Sequence, residues 1–75
     1  MASEIEINEV NAFLAKHDGE WESPDEYRDE LPEVSKRLVD GSEPIAYRIN
    51  DVVAEAGLPG GVEEHGSGDW LILAS

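Results

Sequence analysis

The strongest constraint on the fold is the stretch EPIAYRINDVVAEAGLPGG at residues 43–61, which has the pattern of one amphipathic helix with a marked end. Ser42 can cap its first turn, and Gly57 followed by Pro59 stops it. Pro44 is tolerated in a first turn. Five apolar residues recur at helical spacing and predict a buried face: Ile45, Ile49, Val52, Val53 and Ala56.

The opposite side of this helix is mostly polar and raises the question of a partner. It carries Tyr47, Asn50, Asp51 and Ala54, with Arg48 and Glu55 on one flank. Arg48 precedes Asp51 by three positions, so an exposed ion pair worth ~0.2–0.5 kcal/mol is expected between them. Tyr47 is the large apolar side chain that this face would leave in solvent.

An earlier helix is predicted over residues 4–17. Ser3 and Glu6 have capping-box spacing at its start. Its apolar stripe is Ile7, Val10, Phe13 and Leu14. After the Asp18-Gly19 turn signal, Trp21 stands among acidic residues, and we expect it to pack back onto the core.

The middle of the chain predicts a second helical region, which is interrupted. Ser23 can cap it, and Pro24 suits its first position. Pro32 falls inside the apolar stripe, so either a kink or two short helices are expected before Asp40-Gly41 ends the region. The stripe consists of Tyr27, Leu31, Val34 and Leu38.

The C-terminal residues predict a β-hairpin. Segments 62–65 and 69–74 flank Gly66-Ser67-Gly68, whose glycines allow the positive φ angles of a tight turn. Residues 70–74 are apolar on both strand faces, so the face turned away from the helices needs a second cover, by an N-terminal segment or a second subunit.

Length and residue usage limit the class of protein. Seventy-five residues predict a single small domain, residues 1–75. The absence of cysteine excludes a disulfide or a cysteine-based zinc site. No export signal and no apolar run of ~18 residues is present, so we expect a cytoplasmic protein without membrane contact.

Charge is the most unusual property of the composition. Eighteen Asp and Glu against five Lys and Arg give a formal charge of −13, while hydrophobic residues remain at 40%, as in folded proteins. The acids are spread along the whole chain, and this composition resembles that of haloarchaeal proteins, which work in multimolar salt. The alternative is an acidic chain that meets cationic partners.

The order of elements resembles a winged-helix domain. VNAFLAKHDGEWESPDEYRDEL matches the first helix, turn and start of the second helix, EPIAYRINDVVAEAGL the recognition helix, and GGVEEHGSGDWLILAS the wing. The resemblance implies an α+β fold of three helices and a C-terminal hairpin. Two departures are the Pro32 segment in place of a tight turn, and Glu63 and Glu64 where DNA-binding wings usually carry Lys or Arg.

Four cations on the second and third helices are the candidate DNA contacts of this fold: Arg28, Lys36, Arg37 and Arg48. The alternative is that they pair with neighbouring acids, as Glu33 would with Arg37 at a spacing of four. Phosphate contacts also weaken steeply with salt, so a halophilic protein must bind DNA with fewer net charges.

The residues predict no catalytic or metal centre. His17 falls at the C-terminal end of the first helix, where an imidazole side chain can interact favourably with the helix dipole. Glu63 and His65 share one strand face but provide only two metal ligands. No nucleophile, base and orienting group can be assembled, so neither an enzyme, a cofactor nor a small-molecule substrate is expected.

The functional prediction is therefore an interaction module. We predict a non-enzymatic protein-binding or dimerising regulatory domain, with Tyr47, Trp70 and Leu71 as the candidate partner-binding residues. The alternative is a winged-helix transcriptional regulator that binds DNA through its third helix and wing. Folds of this kind serve both functions.

Overall fold

Four helical segments and one antiparallel β-hairpin form the part of the chain that this computed structural model describes, residues 1–38, 44–66 and 68–75. The helices are α1 (Glu4–His17), a 3₁₀ segment (Pro24–Glu30), α2 (Pro32–Lys36) and α3 (Ile45–Ala56). The strands are β1 (Gly61–His65) and β2 (Asp69–Leu73). The fold is α+β, as predicted.

The ends of α1 and α3 follow from local residues. Ser3 Oγ accepts a hydrogen bond from the Glu6 N–H at 3.1 Å, and Glu6 Oε1 accepts one from the Ser3 N–H at 3.1 Å, which confirms the capping box. Gly57 has φ 68° and ends α3 in the left-handed region. The predicted cap Ser42 lies outside the described residues, and Pro44 takes the N-cap position.

The second helical region is two short helices, one of the two predicted outcomes. Ser23 Oγ accepts from the Asp25 N–H at 3.4 Å, and Pro24 occupies the first turn of the 3₁₀ segment. Pro32 starts α2 because its missing N–H is tolerated there. The predicted end at Asp40-Gly41 lies outside the described residues.

A third chain segment pairs with the hairpin, which the sequence did not reveal. In β1 and β2, Val62 lies opposite Ile72 and Glu64 opposite Trp70. On the other edge of β2, residues 19–22 run antiparallel to it, with a β-bridge between Trp21 and Leu71. β2 is therefore bonded along both edges.

One cluster of buried hydrophobic residues joins the helices to one face of the sheet: Val10, Phe13, Leu14, Leu31, Val34, Ile45, Ala46, Ile49, Val52, Val62, Trp70 and Ile72. Leu38, predicted to be buried, is only partly so. The prediction for Trp21 was wrong, since its side chain is 58% exposed. The bridge to Leu71 turns Trp21 toward the sheet face opposite the core.

Candidate functional site

The outer sheet face is the first candidate interaction surface. We define it as the side of the sheet turned away from the helices, with Trp21, Glu63, His65, Asp69 and Leu71. Side chains alternate along a strand, so Leu71 points opposite to the buried Trp70 and Ile72 on either side of it. Trp21 bridges Leu71 across the strands, and its ring centroid lies 5.0 Å from that of His65.

Tyr47 lies on a different surface from Leu71. Its side chain is 48% exposed on α3, and its ring meets that of Trp70 edge-on with centroids 5.9 Å apart. Trp70 is only 6% exposed. The three predicted partner-binding residues are thus divided: Tyr47 is exposed, Trp70 supports it from the core, and Leu71 is half-buried on the outer sheet face.

All five Lys and Arg residues lie within salt-bridge distance of carboxylates, with N to O distances of 2.7 to 3.5 Å. The closest pair of each cation is Lys16 with Glu30, Arg28 with Asp25, Lys36 with Glu33, and both Arg37 and Arg48 with Glu6. The predicted partners of two cations were wrong. Arg48 pairs with Glu6 instead of Asp51, and Glu33 is taken by Lys36 instead of Arg37.

Glu6 is the one buried carboxylate among these pairs, with 1% of its surface exposed, and it pairs with two of the five cations. Arg48 donates to it from Nε and from Nη2, each at 3.1 Å, and Arg37 Nε lies 3.5 Å away. Burial alone would raise the pKa of the Glu6 carboxyl, but the Ser3 N–H, Arg48 and Arg37 together hold it below its ordinary value of 4.5. Arg37 and Arg48 therefore converge on a carboxylate of their own chain.

A second polar cluster surrounds His17, which is itself buried with 6% of its surface exposed. Its Nδ1 lies 3.1 Å from Glu20 Oε2, and its Nε2 lies 3.0 Å from Glu30 Oε2. A neutral imidazole has one N–H donor, so it can donate to only one of these two carboxylates at a time. The ring of Tyr27 stacks on His17 at a centroid distance of 4.0 Å.

The pKa shifts in this cluster follow from its hydrogen bonds. The Tyr27 hydroxyl donates to Glu20 Oε1 at 2.7 Å; this bond, followed by the bond from His17, lowers the pKa of Glu20. The same bond to Glu20 raises the pKa of Tyr27 to about 12. His17 likewise lowers the pKa of Glu30. The cluster ties the end of α1 to the 3₁₀ segment and residues 19–22, a role the sequence did not show for Glu20 or Glu30.

Asn50 joins α3 to the edge of β1. Its Nδ2 donates to the Val62 carbonyl at 2.9 Å, and its Oδ1 accepts from the Val62 N–H at 3.0 Å. The amide thereby takes the place of a neighbouring strand at this point of the edge. A depression of about 260 Å³ lies beside it, between residues 59–63 and the C-terminal end of β2. Asn50 was predicted to face outward; its amide bonds to the hairpin instead.

No group of three or more His, Asp or Glu side chains is arranged to hold a metal ion within residues 1–38, 44–66 and 68–75. Glu63 Oε1 and His65 Nε2 lie 3.6 Å apart, as their shared strand face predicts. In the same ranges, no helix has the length and apolar character needed to cross a membrane. No family model, curated protein or solved structure matches the chain.

The charge of the chain predicts a strong dependence of stability on salt. Because the net charge is −13, we expect the Tm to rise markedly between about 0.1 M and more than 1 M KCl, as the Debye length falls from ~10 Å to ~3 Å. The same salt also weakens the exposed ion pairs, but these contribute little to folding stability, so their loss should not cancel the rise in Tm. Thermal melts followed by circular dichroism measure this, and a constant Tm would rule out adaptation to salt.

Proposed function

We propose that this chain is a winged-helix-like, non-enzymatic module that acts in a salt-rich cytosol by binding a protein partner or by dimerising. The order of its elements supports the architecture, since three helical regions precede a glycine-turned hairpin. The composition supports the salt-rich setting, because the acids are distributed over all elements.

The observation that carries the proposal is the exposure of two large aromatic side chains on a very acidic surface. Trp21 is 58% and Tyr47 48% exposed, and each is held in place by an aromatic or apolar neighbour. Tyr and Trp are the residue types in which interface binding energy concentrates. Buried Trp70 supports Tyr47, so this anchor has a rigid base.

DNA binding is the alternative, and the positions of the charges count against it. The exposed residues of α3 include Asp51 and Glu55, and these carboxylates would repel the phosphates of DNA. Arg37 and Arg48 converge on Glu6 instead of forming a free cationic surface. Lys36 retains a side chain that is 73% exposed, so it is the best remaining phosphate contact.

Three single variants, compared at one fixed KCl concentration, distinguish the two functions. We expect Trp21→Ala or Tyr47→Ala to weaken self-association in sedimentation, or the capture of a partner from a haloarchaeal extract, by about tenfold or more while leaving the Tm nearly unchanged. Lys36→Ala is the matched surface control and should change neither result. Arg48→Ala is unsuitable, because Arg48 holds the buried Glu6 carboxylate.

The opposite pattern would overturn the proposal. This would be a monomer that retains no partner and binds duplex DNA in fluorescence anisotropy. In that case Lys36→Ala should lower the slope of log affinity against log salt by ~1, the value for one lost phosphate contact.

A further inference from the structure

We propose that the outer sheet face binds an arginine-bearing apolar segment of another protein. The inference rests on the proposed function, because it assigns the surface and the chemistry of the partner. The segment would cover Trp21 and Leu71 with its apolar residues and place its guanidinium groups against the carboxylates of the same face.

The centre of the face is apolar and is positioned by the backbone. The Glu22 N–H donates to the Trp70 carbonyl at 2.9 Å, and the Ile72 N–H donates to the Glu20 carbonyl at 3.0 Å. These bonds flank the Trp21–Leu71 bridge, so the two residues form a non-hydrogen-bonded pair, in which side chains approach most closely. This backbone pairing therefore sets the position of Trp21, although 58% of its surface is exposed.

The permanent charges around this centre are of one sign. Glu63 lies opposite Leu71 in the β1–β2 register, and Asp69 precedes Leu71 by two positions on the same face. The chain has no Lys or Arg after Arg48 and none between Lys16 and Arg28, so no residue of the three sheet segments is permanently cationic. A partner must supply the positive charge.

A guanidinium group suits both features of the face. It stacks on an exposed indole through a cation–π interaction, which is favoured over Trp more than over Tyr or Phe. It also forms two parallel hydrogen bonds with a carboxylate such as that of Glu63 or Asp69. Its weak hydration keeps this contact available where salt screens longer-range attraction.

Two other occupants fit less well. A second copy of the chain would bring the same acidic face against its own carboxylates and add another −13 of charge. A strand added to the edge of β1 would have to displace the Asn50 side chain, which already bonds to both the N–H and the carbonyl of Val62. The exposed face remains, with its apolar centre and acidic surround.

Three labelled peptides of equal length test this inference at one KCl concentration: one alternates Arg with Leu, one Glu with Leu, and one Arg with Ser. Fluorescence anisotropy should show the Arg/Leu peptide binding about tenfold or more tighter than either of the others. In NMR spectra the indole N–H signal of Trp21 should shift on binding, and that of buried Trp70 should shift much less.

Variants separate a local site from general attraction to an acidic chain. We expect Trp21→Ala, and separately Glu63→Gln combined with Asp69→Asn, to weaken Arg/Leu peptide binding by about tenfold. The matched control combines Glu26→Gln with Asp51→Asn, which removes the same charge from two exposed residues outside the face and should leave binding nearly unchanged.

Equal weakening by the two double variants would overturn the inference, since net charge alone would then explain binding. Self-association that Trp21→Ala abolishes would also overturn it, by showing that the face takes a second copy, and would leave the proposed function standing. If no peptide binds while Tyr47→Ala still disrupts association, the inference fails and the proposed function is supported. If neither Trp21→Ala nor Tyr47→Ala affects any association, both fail.

Discussion

Arg48→Met should destabilise the protein by about 3–5 kcal/mol, a large part of the 5–15 kcal/mol that holds a typical domain together. The side chain of Arg48 is largely buried and donates two hydrogen bonds to Glu6, whose carboxylate is almost fully enclosed. Removal of Arg48 leaves that carboxylate with the Ser3 N–H and the more distant Arg37. Urea denaturation at a fixed KCl concentration above about 1 M measures the loss.

Two control variants test whether the destabilisation comes from leaving a buried charge unpaired or from the loss of any cation. Arg28→Met breaks an ion pair whose two side chains are each more than a third exposed, so we expect a loss of about 0–1 kcal/mol. The double variant Glu6→Gln, Arg48→Met removes both charges and should recover part of the stability lost in Arg48→Met. If Arg48→Met costs no more than Arg28→Met, the Glu6 pair has no special role in stability.

The pH dependence of the parent protein's stability should also reflect the Glu6–Arg48 pair. The pKa of Glu6 is lowered in the folded state. The contribution of this carboxylate to folding stability is therefore fully present above a pH of about 4.5 and is lost as the pH falls through the folded pKa. Arg48→Met removes the main cation that lowers this pKa. The variant should therefore lose less stability than the parent when urea denaturation is repeated at decreasing pH.

Ile49→Ala should cost ~2–5 kcal/mol, because Ile49 is completely buried in the middle of α3 and its replacement leaves a cavity. Leu38→Ala removes a similar side chain from a partly buried position, so we expect a loss about half as large. Denaturation of both variants under the same conditions tests the ranking. Equal losses would contradict the difference in burial between the two residues.

The candidate interaction surface was only partly predictable from the sequence. The helical periodicity of residues 45–56 placed Tyr47 away from the buried stripe, and the structure confirms that it is exposed. Trp21 was predicted to pack on the core because an isolated indole in a polar loop was unexpected. Its exposure follows from pairing with Leu71, a residue that enters the chain much later, and no local pattern near Trp21 indicates that pairing.

Local sequence patterns were sufficient to predict the features that depend on neighbours within about one helical turn. The capping box at Ser3 and the left-handed end of α3 at Gly57 arise from hydrogen bonds or steric limits between residues close in sequence. Pro32 predicted either a kink or two short helices, and the structure has two short helices. The same local rules failed for the cations. They paired Arg48 with Asp51, whereas its observed partner Glu6 lies 42 residues away.

The packing of distant segments sets which acids the cations meet, which strand edge Asn50 covers and which face Trp21 occupies. In a chain with eighteen acids, most cations have an acidic residue three or four positions away, so spacing cannot identify the partner. A buried carboxylate such as that of Glu6 carries a desolvation penalty that an exposed one does not, and packing α1 against α3 leaves Arg48 as its nearest compensation. That penalty arises only when the helices come together, which is why the sequence did not reveal the pair.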